Sequence, residues 1–366
     1  MTLLKQKALL VSINGLGEQT GGGIYLRTLF QAFSAKYNLE LISKDNLSSG
    51  LFEQAVSRLI LITPCFIGFH IIYVIREARK SDVVILHNAR LGLFCFILKI
   101  FFRKKTIVCS DNFEAKLALS RIRGCVNPLK KLALCYDWVL VSINEKLAYY
   151  CANNISFITN HDRDTCLLDA SSAFLRSTVI PVCVDHRKHE RAPSSSVGGR
   201  KSVLFTASFS HEPNVAAFKK LLEVAAMLPN LNFLIAGRKL DKVSSFSCGD
   251  NVRLVSDPDE GLMSSLFVEA NIYCSLVDEG SGMKTKIAEA LSYGLVCVST
   301  CHSAIGYEAV LNGKNCPIVL VSSVEDAVEA IQGVSASPLT KETVRAIQVE
   351  NYSYNAARNI TESWLL

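Results

Sequence analysis

The stretch Ser275–Thr300, SLVDEGSGMKTKIAEALSYGLVCVST, decides how the rest of the chain is read. A buried strand ends at Ser275. A glycine-containing loop follows, and a helix starts near Met283–Lys284. That helix ends at Tyr293-Gly294, and VCVST returns as the next strand. Gly280 and Gly282 permit positive φ and let a ligand approach the backbone closely. Free N–H groups and the dipole at a helix start favour a phosphate there, and Lys284 and Lys286 add positive charge. Glu289 falls in the second turn, where a carboxylate can take both hydroxyls of a ribose. Glycines alone would fit any α/β domain with a tight strand-to-helix turn. Glycines, lysines and the glutamate at this spacing, directly after a strand, point to a nucleoside diphosphate.

On either side, short apolar runs alternate with longer helix-like segments. Ala8–Ile13, Leu39–Ile42, Val83–His87, Thr106–Cys109, Trp138–Ser142, Ser156–Thr159 and Thr178–Pro181 read as strands in the first half. Ser202–Thr206, Asn232–Ala236, Val252–Val255, Ile272–Ser275, Val296–Ser299 and Ile318–Val321 read as strands in the second. Continuous apolar strands between helices indicate an α/β fold with buried parallel, doubly wound sheets. The alternation breaks at His186–Lys201, HRKHERAPSSSVGGRK, a charged segment rich in Pro, Ser and Gly that reads as a linker. The expected organisation is a first Rossmann-like domain over 1–183, a linker over 184–201 and a second Rossmann-like domain over 202–345. A C-terminal helical segment over 346–366, interrupted at Tyr352-Ser353-Tyr354, then packs on the second domain or crosses back to the first. Two such domains face a central cleft with the carboxyl ends of their sheets, where ligands bind.

Bulk properties agree. The chain has 366 residues, which suits two domains, with 49% hydrophobic and 20% charged residues. The net charge of +6 is modest and does not argue for nucleic acid. From Arg76 to Lys146 there are 14 Lys and Arg against 6 Asp and Glu, a surplus of +8 that points to an anionic partner for the first domain. The thirteen cysteines are scattered singly with no CxxC, and Cys297, Cys301 and His302 lack a second ligand pair, so no zinc site is expected. The start MTLLKQKALLVSI reads as a first strand rather than a signal peptide; with the unpaired thiols it implies a reducing cytoplasm. Two apolar stretches, Leu59–Ile75 and Leu91–Phe102, the second followed by Arg103, Lys104 and Lys105, admit two readings. They are buried helices, or apolar and basic surface lying on an anionic membrane without crossing it.

The segment from Gly280 to Glu289 resembles the donor-site signature of family 4 of the retaining glycosyltransferases (group 1), G-x-G-x-(K/R)-x-K-(I/V)-x-E-A. SFSHEPNVAAF (Ser208–Phe218), LIAGR (Leu234–Arg238), VIPVCVD (Val179–Asp185) and the glycines Gly21, Gly22 and Gly23 resemble other parts of the same family's pattern. The resemblance implies a GT-B fold with the donor on the second domain, the acceptor on the first, and no required metal or cofactor beyond a UDP- or GDP-type sugar as co-substrate. By residue matching, Glu289 would bind the ribose; Lys284, Arg238 and Lys286 would face the diphosphate, with Gly280, Ser281, Gly282, Met283 and Ser208 lining the donor. Many relatives carry a second glutamate at the place of Ser281, so the contact to the transferred sugar is open.

Acceptor-side candidates sit at strand ends of the first domain. Gly21-Gly22-Gly23 open a helix that Thr20 can cap, a loop for close approach of phosphate or acceptor. In VCSDNFEAK (Val108–Lys116), Asp111 stands where relatives carry a His near the acceptor hydroxyl, with Asn112 beside it. A carboxylate can orient or deprotonate a hydroxyl, and it can equally cap the next helix. His87 and His161 also end strands and either line the cleft or are structural. Asp162 and Asp164 read as helix caps. The reaction so implied moves a sugar to an acceptor hydroxyl with retention, by front-face attack. Lys284, Arg238 and the helix start stabilise the departing diphosphate. The basic, apolar first domain suggests a glycan or lipid-linked acceptor at the inner membrane face, as in O-antigen, capsule or lipopolysaccharide assembly. Two other readings stay open: a sugar-nucleotide epimerase of the same architecture, and a non-catalytic nucleotide-sugar-binding partner subunit.

Overall fold

The structure, a computed structural model, describes residues 5–43, 45, 71–167, 173, 175–185, 200–243, 248–280, 282–313, 315–334 and 339–365. The chain divides into two compact units: unit 1 is Met1–Cys183 with Ala357–Leu366, and unit 2 is Val184–Ala356. Most of the segment read as a linker, residues 186–199, and the first part of one apolar stretch, residues 59–70, lie outside the described residues.

Unit 1 holds a parallel sheet of β1 (Lys7–Ser12), β2 (Asn38–Ile42), β3 (Val83–His87), β4 (Lys105–Ser110), β5 (Asn154–Phe157) and β6 (Ser177–Val179). The spatial order is β2-β1-β3-β4-β5-β6. Its helices are α1 (Gly21–Lys36), α2 (Ile71–Lys80), α3 (Gly92–Phe102), α4 (Glu114–Arg123), α5 (Pro128–Cys151) and α6 (Asn160–Cys166). All of Val83–His87 is buried, and β1 and β4 are buried after their first residue, as strands covered on both faces must be. The direction of winding reverses between β1 and β3, which makes their carboxyl ends the switch point where ligands bind such sheets.

Unit 2 repeats the plan with β7 (Ser202–Ser208), β8 (Asn232–Arg238), β9 (Val252–Ser256), β10 (Ile272–Ser275), β11 (Val296–Thr300) and β12 (Ile318–Val321), ordered β12-β11-β10-β7-β8-β9. Here the switch point lies between β7 and β10. The accompanying helices are α7 (Glu212–Met227), α8 (Glu260–Glu269), α9 (Thr285–Ser292), α10 (Glu308–Leu311), α11 (Val324–Val334) and α12 (Lys341–Tyr352); α13 (Tyr354–Trp364) follows and belongs to unit 1 from Ala357 on. The core gathers Phe205, Phe218, Phe233, Ile272, Val298 and Ile331. Gly237, at φ 151°, is required where β8 passes β7, because a Cβ there would meet the Ala207 carbonyl oxygen at 1.7 Å.

One expectation is corrected. Trp138–Ser142, WVLVS, is not a strand but the middle of α5, which Asn127 caps by accepting from the Lys130 N–H with Pro128 in the first turn. A short apolar run fits a strand or a buried helix equally well; here Leu140, Val141, Asn144, Glu145, Ala148 and Tyr149 form a buried stripe at helical spacing that extends well past it. The C-terminal segment is helical with its break at Ser353, inside the interruption read from Tyr352-Ser353-Tyr354. α12 starts at Lys341, and its Gln348 Nε2 donates to Val184 O at 2.8 Å. α13 carries the segment assigned to unit 1, where Arg358 Nε donates to Gln31 O at 3.2 Å and Lys36 Nζ to Leu365 O at 3.0 Å.

The Leu91–Phe102 stretch packs Phe94, Cys95 and Leu98 into the core as α3, leaving Ile100 and Phe101 exposed. No helix among the described residues is long and apolar enough to cross a membrane. The start of α3 has no side-chain cap of its own; instead Asn144 Oδ1 of α5 accepts from the Leu93 N–H at 2.9 Å. This contact requires Gly92, since a Cβ there would meet the Asn144 carbonyl oxygen at 1.6 Å and the Ala148 nitrogen at 2.8 Å. Gly92→Ala should therefore force α3 off α5 and cost unit 1 about 1–3 kcal/mol. Both tryptophans, Trp138 and Trp364, belong to unit 1. The loss is therefore read as a lower urea midpoint in intrinsic fluorescence; an unchanged midpoint contradicts the packing argument.

Candidate functional site

In unit 2 the loop after β10 is fixed by hydroxyls. The Val277 carbonyl accepts from Thr300 Oγ1 at 2.5 Å and from Ser303 Oγ at 2.9 Å, while Ser275 Oγ donates to Ser303 Oγ at 3.0 Å. Lys220 and Asp278 form an ion pair further along the loop. Gly280 and Gly282 adopt φ of 126° and 67°, conformations that a side chain would strain. Ser281 lies outside the described residues. Met283 is buried and anchors the loop end.

Helix α9 then begins at Thr285 with Lys284 in the cap position, no side-chain cap and no acidic residue in its first turn. The start of the helix is held from behind: Tyr307 Oη accepts from the Ala288 N–H at 2.8 Å and donates to Lys284 O at 2.7 Å. Tyr307 is fully buried and packs on Tyr352, ring centroids 5.0 Å apart. Lys284 folds its amine back over the loop, so that a Cβ on Gly280 would sit 3.1 Å from Nζ. Lys286 Nζ pairs with Glu289 Oε2 at 2.5 Å, both side chains partly exposed. The residues read as diphosphate and ribose contacts are thus each other's partners here. Ser208 and Arg238 end the adjacent strands β7 and β8 in direct register, with Arg238 exposed. The arrangement is a cationic, uncapped helix start at the switch point of the sheet, suited to a diphosphate.

In unit 1 the carboxyl ends of β3 and β4 carry a buried polar cluster. His87 is fully buried; its Nδ1 shares a hydrogen bond of 2.8 Å with Ser12 Oγ, and Tyr25 meets its ring edge-on at 5.5 Å. Burial pushes its pKa down to about 3, so the imidazole is neutral at pH 7 and its 3.8 Å approach to Asp111 Oδ2 is not an ion pair. Asn88 follows at φ 94°, a conformation that costs a non-glycine residue about 1–3 kcal/mol. Its amide uses both protons on carboxylates, Asp111 Oδ1 at 2.6 Å and Glu114 Oε1 at 3.0 Å, while its Oδ1 accepts from the Arg90 N–H at 2.9 Å. Arg90 Nε donates to Glu114 Oε2 at 2.7 Å.

Glu145, from α5, closes the cluster by accepting from the backbone N–H groups of Glu114 at 3.0 Å and Ala115 at 3.2 Å, and from Tyr149 Oη at 3.1 Å. Burial, then the neighbouring Glu114 charge, raises the Asp111 carboxyl to about 7. Burial likewise raises Glu145 to about 7. Asp111 is therefore poised to exchange a proton near neutrality.

The remaining candidates fall at the same sheet edge in differing settings. Asn112 is half-buried and its carbonyl accepts from Ser110 Oγ at 3.0 Å. Thr20 caps α1 by accepting from the Gly23 N–H at 3.2 Å, placing Gly21, Gly22 and Gly23 in its first turn. A Cβ on Gly23 would meet the Glu18 carbonyl oxygen at 2.3 Å, so the tight turn back over this helix start needs a glycine there. His161 is exposed in the first turn of α6 and is not drawn to the buried cluster. Thr159, not an aspartate, caps α6; Asp162 sits three residues on and receives the Thr159 hydroxyl at 2.7 Å. Glu145, Arg90, Tyr149 and Tyr307 were missed from sequence. For Glu145 and Tyr149 the signal was the spacing of Asn144, Glu145, Ala148 and Tyr149 along one helix face, hidden by reading WVLVS as a strand.

Residues 200–336 match the family model described as glycosyl transferases group 1. No curated protein sequence matches the chain. The chain is similar in structure to the sucrose-phosphate synthase of Thermosynechococcus elongatus, with a TM-score of 0.71 at 13% identity, covering 98% of both chains. It is also similar to HepE of Anabaena, solved in complex with UDP and glucose, with a TM-score of 0.67 at 11% identity over 98% of this chain and 99% of that one. The lipopolysaccharide outer core galactosyltransferase WaaB gives a TM-score of 0.66 at 12% identity, again over 98% and 99%. The chain has the GT-B fold of these glycosyltransferases, and its residues 200–336 carry the match to the group 1 family.

Proposed function

We propose that this protein is a retaining glycosyltransferase that moves a sugar from a UDP- or GDP-type nucleoside-diphosphate sugar to a hydroxyl of a glycan or lipid-linked acceptor. Bacterial surface polysaccharide assembly is the setting we favour. The observation that carries the reading is the uncapped, cationic start of α9 with Lys284, Lys286 and Glu289 around it, in the part of the chain that matches the group 1 family. Unit 2 takes the donor: the amide groups of the Gly280–Gly282 loop and the helix start receive the diphosphate, and Glu289 exchanges Lys286 for the ribose diol. Lys284 and Arg238 stabilise the charge that grows on the departing diphosphate. No step in this scheme calls on a metal.

Unit 1 supplies the acceptor side. Asp111 orients the hydroxyl through Oδ2, the oxygen that the Asn88 amide does not take. Asn88 and His87 position that carboxylate, and Arg90 and Glu145 hold Glu114 and the α4 start in place. Only the ionised carboxylate accepts the hydroxyl proton's hydrogen bond well, so the burial that raises its pKa also makes it a stronger base.

A thermal-shift panel of UDP, GDP, ADP and their sugars tests the donor assignment. One nucleotide family at about a hundred times its Kd should stabilise the protein by about 2.7 kcal/mol, a shift of about 5–10 °C. Glu289→Ala should abolish most of that shift. If no nucleotide moves the wild-type transition, the donor site is wrong.

The acceptor assignment is tested by pH. Turnover should rise as pH increases through about 7, where Asp111 ionises, and Asp111→Asn should lower it at least about 10²-fold. Stability should move the other way. An unfolded aspartate ionises near 4, whereas the folded Asp111 holds its proton to about 7. The native state therefore binds the extra proton between those values. The stabilisation is complete below about 4 and is lost as pH rises towards 7. Asp111→Asn keeps an acceptor oxygen for Asn88 and cannot ionise. Relative to wild type it should be more stable at pH 8 than at pH 5 in urea titrations, and an equal difference at both pH values would refute the buried-carboxylate account.

A further inference from the structure

Helix α5 has two apolar stripes, and only one is used by the core. Leu140, Val141, Ala148 and Tyr149 face inward with Asn144 and Glu145. The second stripe is Leu129, Leu132, Tyr136, Val139 and Ile143, whose spacing of alternately three and four residues keeps it on one face, and every member is exposed. At the start of the helix the exposure is nearly complete: Val126 is 96%, Leu129 80% and Leu132 71% accessible. A contiguous apolar strip of this kind on a helix about 36 Å long marks a contact surface rather than ordinary surface scatter.

The charge around the strip identifies what covers it. From Ala115 to Tyr136 the chain carries Lys116, Arg121, Arg123, Lys130 and Lys131, all exposed, and no Asp or Glu. The first acid, Asp137, is partly buried and turned towards Arg90, 3.9 Å away. A second copy of the chain docking through the same face would set two cationic rims against each other. An anionic lipid surface meets both features at once, taking the apolar strip into its acyl boundary and the cations among its headgroups. We propose that the end of α4 and the outer stripe of α5 dock unit 1 on an anionic membrane surface, with α5 lying in the plane of the interface. This proposal is independent of the transfer reaction and of the nucleotide site.

The test uses the full chain in co-sedimentation with vesicles of phosphatidylcholine alone and of phosphatidylcholine mixed with phosphatidylglycerol. Two paired variants, Leu129→Ser/Leu132→Ser and Lys130→Glu/Lys131→Glu, are compared with wild type after near-ultraviolet circular dichroism confirms that they fold. Wild type should sediment with the anionic vesicles, remain in solution with the neutral ones and be released by high salt. Each pair should weaken binding at least about tenfold. Trp138, on the same helix, should shift its emission to the blue on binding in a Trp364→Phe background. The proposal is overturned if wild type stays in solution with anionic vesicles, if it binds neutral vesicles equally, or if both pairs bind as wild type does. It is also overturned if sedimentation velocity shows a dimer that the leucine pair dissociates while no vesicle is bound.

Discussion

A parallel sheet covered on both faces leaves polar groups little room except at its ends, and this constraint organises both units. Val83–His87 and Val296–Thr300 are buried along their whole length, so their side chains between the ends are almost all apolar. Chemistry therefore begins where each strand stops: at His87 and Asn88, at Asp111, at Ser208 and Arg238, and in the loop after Ser275. The two winding reversals select which of those ends stand together, β1 with β3 in one unit and β7 with β10 in the other. Both switch points are polar for the same topological reason, yet they solve different problems. Unit 2 presents positive charge and backbone N–H groups, whereas unit 1 collects carboxyl groups.

The carboxyl cluster is costly to keep. Asp111, Glu114 and Glu145 are all buried, and Asn88 is held at a positive φ between them. Arg90 pairs with Glu114, and among the described residues much of the remaining compensation comes from neutral donors: the Asn88 amide, two backbone N–H groups and the Tyr149 hydroxyl. Neutral donors satisfy oxygen lone pairs without cancelling charge, so burial still raises Asp111 and Glu145 towards neutrality. A protein selected for stability alone would replace such a group with an amide. Acids in this setting are the groups that the proposed proton-handling role of Asp111 would use.

Much of this was legible in the sequence because the signals were local. The strand runs, the glycines at Gly280 and Gly282, the Thr20 cap and the lysines of α9 each depend on a few adjacent residues, and the structure finds them where the spacing put them. What stayed hidden depended on distant partners. Asn144 caps α3 from α5, and Tyr307 clamps α9 from a different strand-to-helix connection, and neither pairing leaves a trace in the intervening sequence. The WVLVS error shows the same limit in another form. Five residues, four of them apolar, carry no period of their own, and only the capped start at Asn127 and the buried residues beyond Ser142 decide for a helix. The pairing of Lys286 with Glu289 was also invisible as such, although three residues on a helix place two side chains on one face.

Tyr307 shows how the donor edge is kept ready without a ligand. A helix start that is to receive a phosphate must leave its outward N–H groups uncommitted, and it must not fray. A capping side chain at the front would satisfy the first-turn amides but would occupy the anion's place. Here Lys284 caps nothing, and the support comes from the far side. One phenolic oxygen accepts from Ala288, the fourth residue of α9, and donates to the carbonyl of the residue before it. Tyr307 is itself fixed by burial and by Tyr352. The two hydroxyls on the Val277 carbonyl do the same for the loop ahead of the helix. The helix is thus fastened at its back and open at its front, and the interaction that holds it does not compete with the one it is shaped to make.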